Sequence, residues 1–330
     1  MANIAVLGAG SWGTALALQL ARNAHNITLW AHRREHAAAL GEARENRRYL
    51  PGIPLPPNLT ISDDLAASVR AAELILAVVP SRAFAGLLAD LKPHLRHAPL
   101  MWAIKGFEAG SGRLLTDVFR DALGEHPHAI LAGPSFAKEV AAGQPTAVTI
   151  AARDDALAQT FARYFHGSNF LCYTSTDLTG IQIGGAVKNV IAIATGIADG
   201  LGCGANARAA LVTRGLREIT RLATALGAQE ETLTGLAGMG DLVLTCTDDQ
   251  SRNRRFGLAL GRGDSAEAAK AAIGQTVEGE GATHDTYALA QQHGIRMPIT
   301  EHLHHMLAGS RSLEDTFASL LARNIKQERH

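Results

Sequence analysis

Residues 3–13, Asn-Ile-Ala-Val-Leu-Gly-Ala-Gly-Ser-Trp-Gly, constrain this chain more than any other stretch. Ile4, Val6 and Leu7 form a short apolar run with no breaker, which predicts a strand. Gly8, Gly10 and Gly13 interrupt it, and Thr14 to Arg22 follows with an apolar stripe of Ala15, Leu16, Leu18 and Leu20, which predicts a helix. Strand, glycine turn and helix in that order suit a dinucleotide. Gly8 permits the turn, Gly10 lets the backbone approach a pyrophosphate, and Gly13 lets helix and strand pack closely. The helix N-terminus adds free N–H groups and a positive dipole end. A tight strand–helix turn without a ligand is the plainer alternative.

A chain of 330 residues has room for two such units, and 47% hydrophobic with 19% charged residues allows large cores and excludes global disorder. The 31 basic and 31 acidic residues cancel, so nothing steers the chain toward nucleic acid or a membrane surface. Cys172, Cys203 and Cys246 are far apart and form no CxxC, which indicates neither a disulfide scaffold nor a structural zinc site. His302, His304 and His305 cluster without a patterned carboxylate or cysteine and read as a solvated helix face, so no metal is expected. No basic region precedes the first strand, which argues against a signal peptide. No apolar run is expected to reach membrane-spanning length; the longest lies near Val190 to Ala198. A cytoplasmic protein without membrane insertion is the expectation.

The second strand falls at Ile27 to Trp30. An NAD site usually carries an Asp or Glu at that strand end, for the ribose 2′-hydroxyl. Here stand Ala31, His32, Arg33 and Arg34. A carboxylate repels a 2′-phosphate, whereas arginine pairs with it through a rigid fork. NADP(H) is therefore the expected cofactor, with NAD(H) as the alternative, although Arg33 and Arg34 also suit a solvated helix start. Helix is expected from Glu35 to about Arg48, then a loop through the proline-dense Tyr49 to Pro57, and an N-cap at Ser62 to Asp64. Leu74 to Val79 reads as a strand buried on both faces. Leu100 to Ile104 and Ala129 to Ala132 are further strands, ending at Lys105-Gly106-Phe107 and Gly133-Pro134-Ser135-Phe136. Ligands in open α/β sheets bind beyond the carboxyl ends of strands, so both ends are site candidates. Lys105 directly after an apolar strand is better explained by an anionic ligand than by packing, with a surface lysine as the alternative. Thr146 to Ile150 and Phe170 to Tyr173 complete the sheet.

After Thr179 the chain reads as helical throughout. Lys188 and Asn189 sit inside a run, Gly184 to Gly200, that is apolar on all sides and hence expected to be buried. A buried lysine is costly unless paired or used, which marks Lys188 as functional. Small residues there allow close helix packing against the first domain. Asp241 follows a glycine-rich bend and precedes Leu242-Val243-Leu244, and Thr245 follows in the same turn; helix N-capping is the plainer role for Asp241. Ser251-Arg252-Asn253-Arg254-Arg255 suits a phosphate, or a solvent-facing helix start. Residues 274–281, with Val277, Glu278 and Glu280, look like a loop returning toward a site. The last residues, 326–330, are expected to fray.

Taken together, Gly8-Ala9-Gly10-Ser11-Trp12-Gly13, Ile104-Lys105-Gly106, Gly133-Pro134-Ser135-Phe136-Ala137, Val187-Lys188-Asn189, Gly240-Asp241-Leu242 and Ser251-Arg252-Asn253 resemble the bacterial NAD(P)-dependent glycerol-3-phosphate dehydrogenases. The glycine fingerprint is widespread; its combination with the last motifs is specific, and the order holds from residue 3 to about 305. The resemblance implies a Rossmann-type α/β dinucleotide-binding domain over residues 1–180. An all-helical substrate domain over 181–330 would follow, similar to the C-terminal domain of 6-phosphogluconate dehydrogenase. It implies interconversion of dihydroxyacetone phosphate and sn-glycerol 3-phosphate, which supplies the phospholipid backbone.

By the same resemblance Lys188 is the proton-transfer lysine, with Lys105 and Asp241 beside it in the chemistry. Lys105, Gly133, Ser135, Lys188, Asp241, Thr245, Ser251, Arg252 and Asn253 line the substrate. Gly8, Gly10, Ser11, Trp12, Gly13, Arg33, Tyr49, Lys105, Ala137, Arg252, Val277 and Glu278 contact the cofactor, with His32 or Arg34 sharing the 2′-phosphate. Burial and Lys105 are expected to lower the Lys188 pKa, and Asp241 to orient it and oppose the lowering. Two other readings stay open at this point: a two-domain dehydrogenase for a hydroxy acid or sugar acid, and a non-enzymatic dinucleotide sensor. The small apolar residues of the helical half allow a homodimer.

Overall fold

The computed structural model describes residues 1–321. The strands are β1 (Asn3–Leu7), β2 (Asn26–Trp30), β3 (Glu45–Asn46), β4 (Leu50–Pro54), β5 (Leu59–Ser62), β6 (Leu74–Ala77), β7 (Leu100–Trp102), β8 (His128–Ala132), β9 (Thr146–Ala152) and β10 (Phe170–Ser175). Eight of them form one sheet in the order β10-β9-β8-β7-β6-β1-β2-β5. From β5 to β8 the neighbours pair in parallel; β9 runs antiparallel to β8, and β10 parallel to β9. The chain leaves β1 toward β2 and β5, then returns to β6 on the other side of β1. That reversal opens a crevice beyond the strand ends, where α/β sheets bind ligands. Ile4 to Leu7 and Leu74 to Ala77 are buried on both faces, as expected of central parallel strands.

Within residues 35–57 the structure differs from the sequence reading in two places. The second helix, Arg34–Ala43, stops short of Arg48 because Arg44 turns left-handed (φ 49°) and its guanidinium holds the carbonyls of Leu55, Pro56 and Leu59. The proline-dense stretch is also not wholly loop: β4 pairs antiparallel with β3 as a small hairpin outside the main sheet, where prolines remove no shared ladder bond. Asp64, within the expected cap region, accepts the Ala67 N–H at 2.9 Å and starts the helix Leu65–Arg70.

After β10 the chain enters the helix Leu178–Gly200, whose residues from Gly180 to Ala198 are all buried. This corrects the expectation about membrane-spanning runs. The helix has 23 residues and a mean hydropathy of 1.4, long and apolar enough to cross a membrane, yet its apolar window lies wholly inside the protein. The helices Gly204–Ala225, Asp241–Thr247, Arg252–Gly261 and Glu278–Gln292 surround it. Its small residues serve mainly this helical core rather than the first domain. A Cβ on Gly257 would sit 2.1 Å from the Ile193 carbonyl oxygen, so the helix Arg252–Gly261 lies in backbone contact with it. Gly185 does face the first domain, across from the Lys105 side chain.

The histidine group is not a bare solvated face. His304 stacks on Tyr287 with centroids 4.1 Å apart, and its Nδ1 lies 2.9 Å from Nδ1 of His284. No group of three or more potential ligands capable of holding a metal occurs among the described residues. Residues 326–330 lie outside the described residues.

Candidate active site

A cleft of about 1140 Å³ runs along the carboxyl ends of β1, β6 and β7 and on to the helical half. Its first wall is the glycine turn. Gly8 adopts φ +123°, where a Cβ would also lie 2.3 Å from the Val78 carbonyl oxygen. A Cβ on Gly13 would lie 1.8 Å from the Gly8 carbonyl oxygen, so these two glycines are fixed by the protein itself. Gly10 is different: a Cβ there meets nothing within 4 Å, and its open side faces the cleft at the start of the helix Ser11–Arg22. Trp12 lines the same wall, and its buried indole N–H has no partner among the described residues. A bare backbone cradle and an unsatisfied donor fit the diphosphate of a dinucleotide.

Tyr49 and Arg33 line the outer end of the cleft, where the Arg33 guanidinium donates to the Tyr49 hydroxyl at 3.0 Å. His32 lines it too. Arg34 does not: its guanidinium lies 3.6 Å from the Asp63 carboxylate, on the exposed side of the second helix. Ala137, Val277 and Glu278 complete the long walls. Glu278 hydrogen-bonds Ser81 at 3.5 Å, and burial raises its carboxyl pKa against the pull of Arg252 and Arg82.

At the inner end the two halves of the chain meet on one carboxylate. Asp241 follows a single π-helical turn, Leu236–Gly240, and opens the helix Asp241–Thr247; such turns often re-aim side chains at functional sites. It is not an N-cap, because that position belongs to Gly240. The Lys105 ammonium, just past β7, donates to Oδ2 of Asp241 at 2.8 Å and to the Gly133 carbonyl at 3.2 Å. The Lys188 ammonium, from the middle of the buried helix, donates to Oδ1 of Asp241 and to the Thr245 hydroxyl at 2.8 Å. Thr245 passes its own hydrogen to the Asp241 backbone carbonyl at 2.6 Å. Burial, reinforced by Lys105, pulls the Lys188 pKa down to about 7 against the opposing pull of Asp241. Burial alone would raise the Asp241 carboxyl; the two ammonium groups outweigh it and hold it below the usual carboxylate range. Two cations share one anion, so the site carries a surplus positive charge where a carbonyl oxygen could accept it.

Beside this group the helix Arg252–Gly261 points its positive end at the cleft. Ser251, Arg252 and Asn253 all line the cleft, but only Arg252 has its charge to offer. Ser251 caps the helix, accepting the Arg254 N–H at 3.2 Å. The Asn253 amide donates to Asn189 at 2.9 Å and accepts the Gly279 N–H at 2.9 Å, tying three helices together. Among the described residues the Arg252 guanidinium hydrogen-bonds only Gln275, at 3.5 Å; burial lowers its pKa, offset by Glu278. Ser135 lines the opposite side, donating to the Gly133 carbonyl at 2.9 Å. Gly133 itself does not line the cleft; it contributes that carbonyl to Lys105.

Sequence reasoning did not single out Arg82, Lys270 and Gln275, which also line the cleft. Arg82 had a readable signal, since Pro80-Ser81-Arg82 is the carboxyl end of the central strand β6. Gln275 lies in the 274–281 segment read as returning toward a site, whereas Lys270 had no signal, because only the packing of its helix brings it round.

Comparison with known proteins gives one family for both halves of the chain. Residues 3–158 match the family model for the N-terminus of NAD-dependent glycerol-3-phosphate dehydrogenase, and residues 177–318 match the model for its C-terminus. The chain is 52% identical over 330 residues to the glycerol-3-phosphate dehydrogenase [NAD(P)+] of Pectobacterium carotovorum, covering 99% of this chain and 97% of that one. It is 53% identical over 326 residues to the enzyme of the same name from Halorhodospira halophila, covering 98% of each. The crystal structure of glycerol-3-phosphate dehydrogenase from Coxiella burnetii superposes with a TM-score of 0.95 at 47% identity, covering 98% of this chain and 99% of that one.

Proposed function

The chain belongs to the NAD-dependent glycerol-3-phosphate dehydrogenase family, and from that premise we propose how its cleft works. The enzyme interconverts dihydroxyacetone phosphate and sn-glycerol 3-phosphate, a precursor of phospholipids, and takes NADP(H) or NAD(H). The hydroxy-acid and non-enzymatic readings are thereby set aside.

Held by the glycine turn and by the walls that carry Arg33, Tyr49 and Glu278, NAD(P)H would supply the hydride for the C2 carbonyl carbon of the substrate. As that carbon is reduced its oxygen gains negative charge, and Lys188 donates the proton; in the reverse direction the neutral amine takes the alcohol proton. A lysine with pKa about 7 suits both directions near neutral pH. Lys105 stabilises the oxyanion as it forms, and Asp241 aims both ammonium groups. Thr245 fixes the rotamer of Lys188, and Ser135 lines the substrate side. Arg252 grips the phosphate bidentately, at the positive helix end that Ser251 and Asn253 hold in place. The observation that carries this reading is the pair of lysines, one from each half of the chain, on a single buried carboxylate.

Residues 1–180 act as the cofactor domain and 181–330 as the substrate domain, a division supported by the start of the buried helix at Leu178 directly after β10. NADP(H) is preferred over NAD(H), supported by Arg33 at the end of β2 where a carboxylate would favour NAD. A cytoplasmic location is supported by the three cysteines, all free. A homodimer rests on the exposed Leu171 and Tyr173 of edge strand β10, since the small residues that first suggested it are buried in the helical core. The test is oxidation of NADPH and of NADH, followed by near-ultraviolet absorbance, on adding dihydroxyacetone phosphate. Turnover with both, saturating at lower NADPH, is expected. Turnover with equal saturation would remove the cofactor preference. Absence of turnover from a folded enzyme that binds NADPH would remove the assigned residue roles.

A further inference from the structure

Four arginines lie in the two segments that frame the outer end of the cofactor cleft: Arg33 and Arg34 after β2, and Arg47 and Arg48 in the turn between β3 and β4. Two already have a carboxylate. Arg34 faces Asp63 at 3.6 Å, and Arg47 faces Glu45 at 3.6 Å. Arg33 and Arg48 have no carboxylate within ion-pair distance among the described residues, and both line the cleft. One side chain joins them. The Tyr49 hydroxyl accepts from Arg33 at 3.0 Å, and the Arg48 guanidinium carbon lies 5.2 Å from the centroid of the Tyr49 ring. His36 meets the same ring edge-on at 5.2 Å and is itself anchored on the Ala9 carbonyl of the glycine turn at 3.0 Å. Asn46, at the foot of the same turn, also donates to the Ala9 carbonyl, at 3.1 Å. The hairpin that carries Arg48 is thus bolted to the loop expected to hold the diphosphate.

We infer that Arg48, reaching over from the β3–β4 turn, is the second guanidinium that reads the 2′-phosphate of NADP(H), in partnership with Arg33. This rests on the NADP(H) preference proposed above and replaces the role that sequence adjacency gave to Arg34. Two cations without carboxylate partners, held apart by an aromatic spacer at the mouth of a nucleotide cleft, suit a dianionic monophosphate; each can offer a planar pair of N–H donors. Arg34 cannot join them without giving up Asp63.

The test is equilibrium binding by calorimetry of two probes, adenosine 2′,5′-bisphosphate and ADP, to the full-length enzyme and to Arg48→Gln and Arg34→Gln. Arg48 is exposed, so its replacement should leave the fold intact, which circular dichroism verifies. The expected result for Arg48→Gln is about tenfold weaker binding of the 2′-phosphorylated probe with ADP affinity kept, and for Arg34→Gln no change in either. Unchanged affinity for both probes in Arg48→Gln would overturn the inference, leaving Arg33 as sole reader. Equal weakening of both would overturn it as well, because Arg48 would then act only by packing Tyr49 against the cleft. Failure of the unaltered enzyme to distinguish the probes would instead remove the NADP(H) preference on which the inference rests.

Discussion

Lys105 and Lys188 donate to opposite oxygens of the Asp241 carboxylate, one from the end of a parallel strand and the other from the middle of a buried helix. The carboxylate is therefore both the electrostatic anchor of the site and a joint between the two halves of the chain. Its geometry assigns the lysines different work. Lys188 is buried and also bonded to Thr245, whereas Lys105 keeps 19% of its side chain exposed and reaches across to Gly133.

The proton-donor role of Lys188 fixes the sign of the pH dependence. Reduction of dihydroxyacetone phosphate requires the ammonium form, so its kcat should fall as pH rises through about 7. Oxidation of glycerol 3-phosphate requires the neutral amine, so its kcat should rise through the same pH. Lys188→Ala should lower kcat by about 10²- to 10⁴-fold in both directions while NADPH affinity changes little. Initial rates in both directions across pH check this; a variant with ordinary kcat would remove the assignment.

Asp241→Asn tests the carboxylate as anchor. The substitution leaves two ammonium groups facing each other in a buried site without their counter-charge. Stability should fall by about 3–5 kcal/mol, and the Lys188 pKa should drop further as the repulsion from Lys105 goes unopposed. Denaturant unfolding measures the first effect. A lower-pH inflection in the residual reduction rate measures the second.

Arg252→Gln tests phosphate recognition. Loss of a bidentate charge-assisted contact of about 3 kcal/mol should raise KM for dihydroxyacetone phosphate about a hundredfold. Unphosphorylated dihydroxyacetone, which has no phosphate for Arg252 to grip, should be used about equally by the variant and the unaltered enzyme. Steady-state kinetics with both ketones provides the comparison, and an equal loss on both would assign Arg252 to orientation of the helix rather than to the phosphate.

Glu218 gives a stability test away from the cleft. Its buried carboxylate accepts the Ile299 N–H at 2.7 Å and the Thr300 N–H at 3.3 Å, capping the helix Pro298–Leu307 from the neighbouring helix. Burial raises its pKa to about 7, with those hydrogen bonds opposing the shift. The folded state therefore keeps a proton that the unfolded chain releases near its ordinary value of 4.5. The resulting stabilisation is full below that value and lost as pH rises through about 7, on the order of 3 kcal/mol. Calorimetric unfolding of the protein and of Glu218→Gln across this range should show the variant lacking this component.

The glycine turn, the central strands and Lys188 were legible because each is a local conflict or a local pattern. A glycine fingerprint after a strand, a continuous apolar run and a lysine within an apolar helix all announce themselves within a dozen residues. The hairpin at residues 45–54 was not legible, since its proline content argues against a strand until one sees that it lies outside the main sheet. The role of Asp241 was legible only through the family resemblance, because capping and ion pairing by an aspartate after a glycine bend look alike in one dimension. Arg33 and Arg34 were indistinguishable as neighbours in one dimension, until the rotation of the helix gave one of them to Tyr49 and the other to Asp63.

By itself the sequence determined the order of the glycine turn, the central strands and the long helix, the burial of that helix and the residue types available for hydride-transfer chemistry, all of which depend on short-range periodicity and on the cost of burying charge. Only the tertiary structure decided which of those residues meet. Lys105, Lys188 and Asp241 come from distant parts of the chain, and Arg48 joins Arg33 only through the folded hairpin. Coulombic attraction and hydrogen bonding act over a few ångströms, so their partners are set by how the sheet and helices pack rather than by position along the chain.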